Sequence, residues 1–370
     1  MATKSKVEPK KIVYLWGAGA TQGEAQNLGA TVSLLMGDTL AFGEGVATRI
    51  LRGLGSRRAR SVGISQGVDI EKLISLLGAT GVNEQIKLAE GMRTRYFEEL
   101  RDSLGSAGVL YNPALAFRLF EMHLDANFSR NVESLTGILT TNHDGLLQLA
   151  SEKVFKALNL GFPFESRHFS PAIGGLVPPI LQLHGSFTWQ FGVPITVKRL
   201  QKTSRYDPDT AWIPPTILKE SKNYPFNKIA AFAYELLTKG CDVLRVVGAS
   251  LTQNDWNVLS LIFNAQRHRE LTGRSAFRIE LIMPSDAGEE IKEECGYLKN
   301  VMPIAFLSEG NFAAYKEFAP YKESEIIPAE SDLANPFKYW LAEKLQYHKT
   351  MKEIENGDLI VNAESIGEAA

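Results

Sequence analysis

Four times in this chain a short run of bulky or β-branched residues stops abruptly at glycine or at a polar side chain. Ile12 to Trp16 runs into Gly17, Ala18 and Gly19; Gly137 to Thr141 into Asn142, His143 and Asp144; Pro178 to Leu183 into His184 and Gly185; and Asp242 to Val247 into Gly248, Ala249 and Ser250. Short apolar runs bounded by turn residues read as buried strands, and strands buried on both faces belong to parallel sheets. Helical patterns follow, with Leu146, Leu147, Leu149 and Ala150 after the second run and Asp255 opening a helix through Leu259, Ile262 and Phe263 after the fourth. Phe277 to Pro284 and Val301 to Leu307 read as further strands. The expected fold is α/β, a Rossmann-like parallel sheet with helices on both faces. In such sheets ligands bind outside the carboxyl ends of the strands, where all four turns fall.

The first turn is the most nucleotide-like. Glycines at 17 and 19 would let the backbone approach a pyrophosphate, and the helix that follows offers unpaired N–H groups and the positive end of its dipole. A full dinucleotide pattern would have a third glycine at position 22, where Gln22 stands, so the match is partial.

Between residues 37 and 130 only helical patterns occur: Val46 to Leu54, Val68 to Leu77, Val82 to Leu104 and Pro113 to Ala126. Ile70, Leu73, Ile74 and Leu77 fall on one helical face. Asp69 and Glu71 stand in that helix's first turn, where carboxylates serve the dipole more often than a ligand. The chain thus divides into a polar leader (1–10), a Rossmann-like domain (11–36 and 131–330), a helical insertion (37–130) and a C-terminal helix around Phe337, Trp340 and Leu341 with an acidic tail (331–370). The last of these looks peripheral. Arg199 to Pro225, dense in proline, lysine and tyrosine, reads as a long surface loop at the mouth of the site.

Composition excludes several function classes. A formal charge of −2 provides no global pull toward nucleic acid. The cluster Arg57, Arg58 and Arg60 lacks interleaved aromatics, so direct nucleic-acid binding is not expected. Two distant cysteines, Cys241 and Cys295, make neither a disulfide framework nor a four-thiolate zinc site, and no metal is expected. No apolar run approaches the roughly 20 residues a bilayer requires, and the lysine-rich start has no signal-peptide core, so a cytoplasmic location is expected.

Gly17-Ala18-Gly19 with Thr21, Thr141-Asn142-His143-Asp144, Leu183-His184-Gly185 and Gly248-Ala249-Ser250-Leu251 stand in the order and spacing of the sirtuin motifs, and over roughly residues 11 to 310 the chain resembles that family. It departs from the protein deacylases: the paired C-x-x-C zinc module and the loop after the first turn are missing, and Thr141 replaces a glutamine. With its helical insertion it is similar to the sirtuin-like NAD-cleaving effectors of bacterial anti-phage defence, in particular the subunit that assembles with a HerA-type hexameric ATPase. The resemblance implies NAD as substrate, a homo-oligomer, and a HerA-type partner.

It also implies roles. Asn142 would hold the nicotinamide ribose or the attacking water, and His184 would take a proton. Asp144 would meet the carboxamide, Gly17, Ala18, Gly19 and Thr21 the pyrophosphate, and Gly248 and Ser250 the adenosine half. His143 is a rival base, but neighbours along a strand point to opposite sides, which favours Asn142 and Asp144 as the ligand-facing pair. Asp255 reads as a helix cap, and Trp16 and Trp189 as core aromatics. The expected activity is hydrolysis of NAD to nicotinamide and ADP-ribose. The alternatives are protein deacylation or ADP-ribosylation, or a non-catalytic module that binds NAD or ADP-ribose.

Overall fold

The structure, a computed structural model, describes residues 8–29, 33–38, 43–54, 69–172, 175–215, 219, 222–249, 251, 255–282, 312–313, 337–338 and 340–341. Ser250, the run 301–307, the cluster at 57–60 and most of 331–370 lie outside these residues.

The main sheet holds β1 (Lys10–Trp16), β2 (Glu133–Thr140), β4 (Ile180–Gln182), β8 (Val243–Val247), β9 (Arg278–Ile282) and the two-residue β10 (Phe312–Ala313). All pairings are parallel, in the order β10-β9-β8-β1-β2-β4. Counting only its own strands, that is 3-2-1-4-5-6, the Rossmann order, with the switch point between β1 and β8. Register keeps the carboxyl ends level: Trp16 lies opposite both Thr140 and Val247, Thr140 opposite Gln182, and Val247 opposite Ile282.

Helices cover the sheet. After β1 comes α1 (Ala18–Asn27), which packs with α5 (Ala114–Leu124); α5 packs in turn on α7 (Leu146–Phe155) and β2. The helices α8 (Phe226–Lys239) and α9 (Trp256–Leu271) pack on each other, and α8 packs on β2 and β4. There Leu236 of α8 lies so close to Gly137 of β2 that a Cβ would stand 2.6 Å from its side chain.

Between α1 and α5 lie α2 (Val46–Gly53), α3 (Ile70–Ala79) and α4 (Asn83–Ser106), and α6 (Ala126–Asn131) leads into β2. Ile70, Leu73, Ile74 and Leu77 are buried, as their spacing predicts, and form a separate small core with Val46, Ile50 and Met92. Each such side chain contributes roughly 1.5–3 kcal/mol of hydrophobic burial. Asp69 caps α3, accepting from the backbone N–H of Glu71 at 2.8 Å and of Lys72 at 3.3 Å.

Three features correct the sequence expectations. A second sheet, order β3-β6-β5-β7, holds β3 (Phe164–Glu165), β5 (Gly185–Gln190), β6 (Ile195–Val197) and β7 (Thr210–Trp212). Its strand β5 begins at Gly185, whose φ of +73° turns the chain out of the main sheet. The supposed surface loop therefore contains β7, a buried strand paired with β5. The C-terminal segment is not peripheral at its described residues. Phe337, Trp340 and Leu341 are buried in the main core, with Phe337 5.1 Å from Trp16 and Trp340 6.2 Å from Tyr14 between ring centroids. Trp16 and Trp189 are core aromatics, fully buried as expected. Among the described residues no helix is long and apolar enough to cross a membrane.

Candidate active site

Because the strand ends are level, the turns after β1, β2, β4 and β8 leave the sheet side by side. The turns after β1 and β8 interlock: the Gly17 N–H donates to Val247 O at 2.9 Å and the Gly19 N–H to Gly248 O at 2.8 Å. A Cβ on Gly17 would stand 2.4 Å from Ala249 Cα, and one on Gly248 2.2 Å from Ala20 N. Close approach of two backbones thus accounts for these glycines. Two of the amides in the turn are engaged, and the exposed Ala18 at the first position of α1 is left facing outward. Gln22, where the third glycine would stand, is buried and accepts from the Leu34 N–H at 2.5 Å.

The turn after β2 is held by its own backbone carbonyls. Gln182 Nε2 donates to Asn142 O at 3.3 Å and Asp144 O at 3.0 Å, and the Ser186 hydroxyl to His143 O at 3.0 Å. Gln148 joins this network through Gln182 and Thr188. A buried amide network with its bonds satisfied fixes one conformation.

Asn142 and His143 point apart. Asn142 is half-buried and turns to the glycine turn, its Nδ2 donating to Gly17 O and to Thr21 Oγ1, both at 2.9 Å. The Thr21 hydroxyl donates onward to Asp144 Oδ2 at 2.9 Å, and Asp144 Oδ1 accepts from the Leu146 N–H at 3.1 Å. Burial raises the Asp144 carboxyl above the usual range, against these bonds, which lower it. His143 is boxed by Tyr96 of α4, Phe187 and Trp212. Its Nε2 lies 3.0 Å from Ile213 O and must donate, so Nδ1 accepts from the Tyr96 hydroxyl at 3.3 Å. Burial, and then His184 nearby, hold His143 neutral, well below its usual value.

His184, past the end of β4, is 3 % exposed, with its ring centroid 6.2 Å from that of His143. The Asn257 amide nitrogen lies 3.1 Å from Nε2, and a second bond runs to the Thr141 backbone. Burial lowers its pKa to about 4, opposed first by the Asp255 carboxylate. The imidazole is therefore neutral near pH 7, with the Asn257 amide set across its Nε2, the amide nitrogen at 3.1 Å and the amide oxygen at 3.4 Å.

Residues not anticipated complete the cluster. Lys219 is buried beside His184, 2.6 Å from Asp255 Oδ1 and 3.6 Å from Glu71 Oε2. Asp255 stands at the N-cap of α9 but its side chain makes no cap bond, so the expectation of a cap is corrected: the lysine takes the carboxylate instead. Glu71 turns from its helix dipole toward Lys219, and burial raises its carboxyl. Tyr96, Lys219 and Asn257 belong to no sequence motif; the sole hint of Asn257 was its place directly after the Gly248 turn. Among the described residues no group of three or more His, Cys, Asp or Glu side chains is placed to hold a metal.

Compared with known proteins, the chain matches no family model and no curated protein sequence.

Proposed function

We propose that this chain is an NAD glycohydrolase, cleaving NAD to nicotinamide and ADP-ribose at the carboxyl edge of β1, β2 and β4. The observation that carries the reading is the level edge of these three adjacent strands. Neighbouring strands lie about 4.8 Å apart, so the glycine turn, Asn142 and His184 stand within roughly one nucleoside's span. The sirtuin-like motifs fall on these turns, and the switch point beside β8 is where dinucleotides bind in Rossmann sheets.

The chemistry asks little of a general acid. The bond from ribose C1′ to nicotinamide breaks with its electrons going to the pyridinium, which leaves neutral; C1′ passes through an oxocarbenium-like state, and water adds there. Water attacking such a cation becomes strongly acidic, so even a weakly basic imidazole can take the proton. His184 fits that part, and Asn142, fixed by Gly17 and Thr21, fits a group that orients ribose or water. The N–H of Ala18, an exposed residue, and the start of α1 would meet the pyrophosphate, with Gly248 and Ser250 toward the adenosine.

Restraint is part of the proposal. His184 is nearly closed off and its Nε2 is engaged by the Asn257 amide, so substrate must displace that amide. An enzyme that drains NAD needs such a resting state. We take the chain to be a homo-oligomeric, cytoplasmic effector of bacterial anti-phage defence, released by assembly with a HerA-type ATPase. The test is nicotinamide release from NAD by the purified chain with and without that partner. Release that disappears in Asn142→Ala and His184→Ala is expected; no release in any assembly state contradicts the proposal.

A further inference from the structure

We propose that Lys219 is a positioning residue for His184: by bridging Asp255 to Glu71 it ties the helical insertion to the start of α9, and through Asn257 to the imidazole. The inference rests on the reading of His184 as the base, but the device can be measured without turnover.

The Lys219 side chain is 6 % exposed, and an ammonium so buried requires compensation; two carboxylates from different elements supply it. Both forgo other partners. Asp255 gives its helix no cap bond, and Glu71 Oε2 is buried with no hydrogen-bond partner, the ammonium at 3.6 Å being its neighbour. Two residues after Asp255, Asn257 reaches His184. One lysine therefore joins α3 of the insertion, the segment after β7 and the first turn of α9, and the last of these holds the imidazole. The insertion is thereby a working wall of the site.

The charged and titratable groups facing His184 are Asp255 from the start of α9, Lys219 from the segment after β7, and His143 from the turn after β2 with Tyr96 of α4 behind it. The two halves of the ion pair act oppositely on the ring, since the carboxylate favours imidazolium and the ammonium disfavours it. Removing them should move its titration in opposite directions. A structural brace alone would move stability and leave the ring unaffected.

The experiment is an NMR titration of the full-length chain labelled with ¹³C-histidine, the His184 signal being assigned by its loss in His184→Asn. Lys219→Met should raise the His184 midpoint by about one pH unit and Asp255→Asn should lower it. Lys219→Arg should keep the wild-type value, and Glu71→Gln should lower it least. Equal midpoints in wild type, Lys219→Met and Asp255→Asn overturn the proposal. If Lys219→Met does not fold by circular dichroism, Asp255→Asn decides, and an unchanged or raised midpoint there overturns it. Nicotinamide release by the wild-type sample is read separately: its absence sinks the glycohydrolase reading while the titration still decides the role of Lys219.

Discussion

Arg245 and His184 are both almost wholly buried against the same sheet, one in mid-strand and the other just past a strand end. Around Arg245 the charged groups are paired with one another. Its guanidinium makes a bidentate pair with Glu133 at 2.6 and 2.7 Å, meets Glu280 at 2.7 Å and the Tyr14 hydroxyl at 3.1 Å, and lies under the Trp340 ring at 4.9 Å. Nearby carboxylates and the tyrosine hold its pKa well above the ordinary value despite burial. Around His184 a charged Lys219–Asp255 pair stands beside groups whose charge is suppressed: both histidines are held neutral, and the carboxyls of Asp144 and Glu71 are raised. A fully paired cluster holds strands in register, whereas perturbed titratable groups gathered at a strand edge mark a candidate site. Burial alone therefore does not mark a site.

Breaking the first cluster should have the largest effect on folding. Arg245→Met takes from Glu133 and Glu280 the buried guanidinium they share, and a loss of about 3–5 kcal/mol in urea unfolding is expected. Replacing all three by apolar residues of similar volume should recover most of it, because an ion pair that is absent altogether leaves no orphaned charge.

Glu24 sharpens the contrast from a third position. It is fully buried on α1 and accepts from the Leu115 and Ala116 N–H groups at the start of α5, yet burial pushes its carboxyl up to about 7. A carboxyl with a raised folded-state pKa contributes stability that is complete below the unfolded value near 4.5 and lost as pH rises through 7. Unfolding measured from pH 4.5 to 8 should thus show a wild-type decline of the order of 3 kcal/mol that Glu24→Gln lacks. The smallest effect belongs to Tyr96→Phe, which removes the hydrogen bond to His143 Nδ1; about 1 kcal/mol of stability should be lost.

Much of this was legible in the sequence, for reasons visible in particular residues. The segments Ile12 to Trp16 and Val243 to Val247 are strands because parallel strands need largely apolar runs, and the spacing of Ile70, Leu73, Ile74 and Leu77 sufficed for α3. Strands of two or three residues such as β3, β6 and β7 are too short to carry a period, so the second sheet left no signature. Arg245 was read as one residue of a strand; that Glu133 and Glu280 meet it depends on sheet order, which no local pattern encodes. In the candidate site, Asn142, Asp144 and His184 stood out as polar groups at strand ends within motifs resembling a known family, whereas Tyr96, Lys219 and Asn257 arrive from separate elements by tertiary packing. Asp255 stood where a cap belongs, but a buried ammonium competed for it and won.

The most direct test of the account is nicotinamide release from NAD by His184→Ala, measured beside its unfolding curve and in the assembly state where the wild type turns over. A rate lower by about 10² to 10⁴ is expected, with an unfolding midpoint close to that of the wild type. Wild-type release should also stay flat on the His184 limb as pH falls from 8 and decline only as the ring titrates near pH 4. A His184→Ala protein that folds normally and releases nicotinamide at the wild-type rate would contradict it.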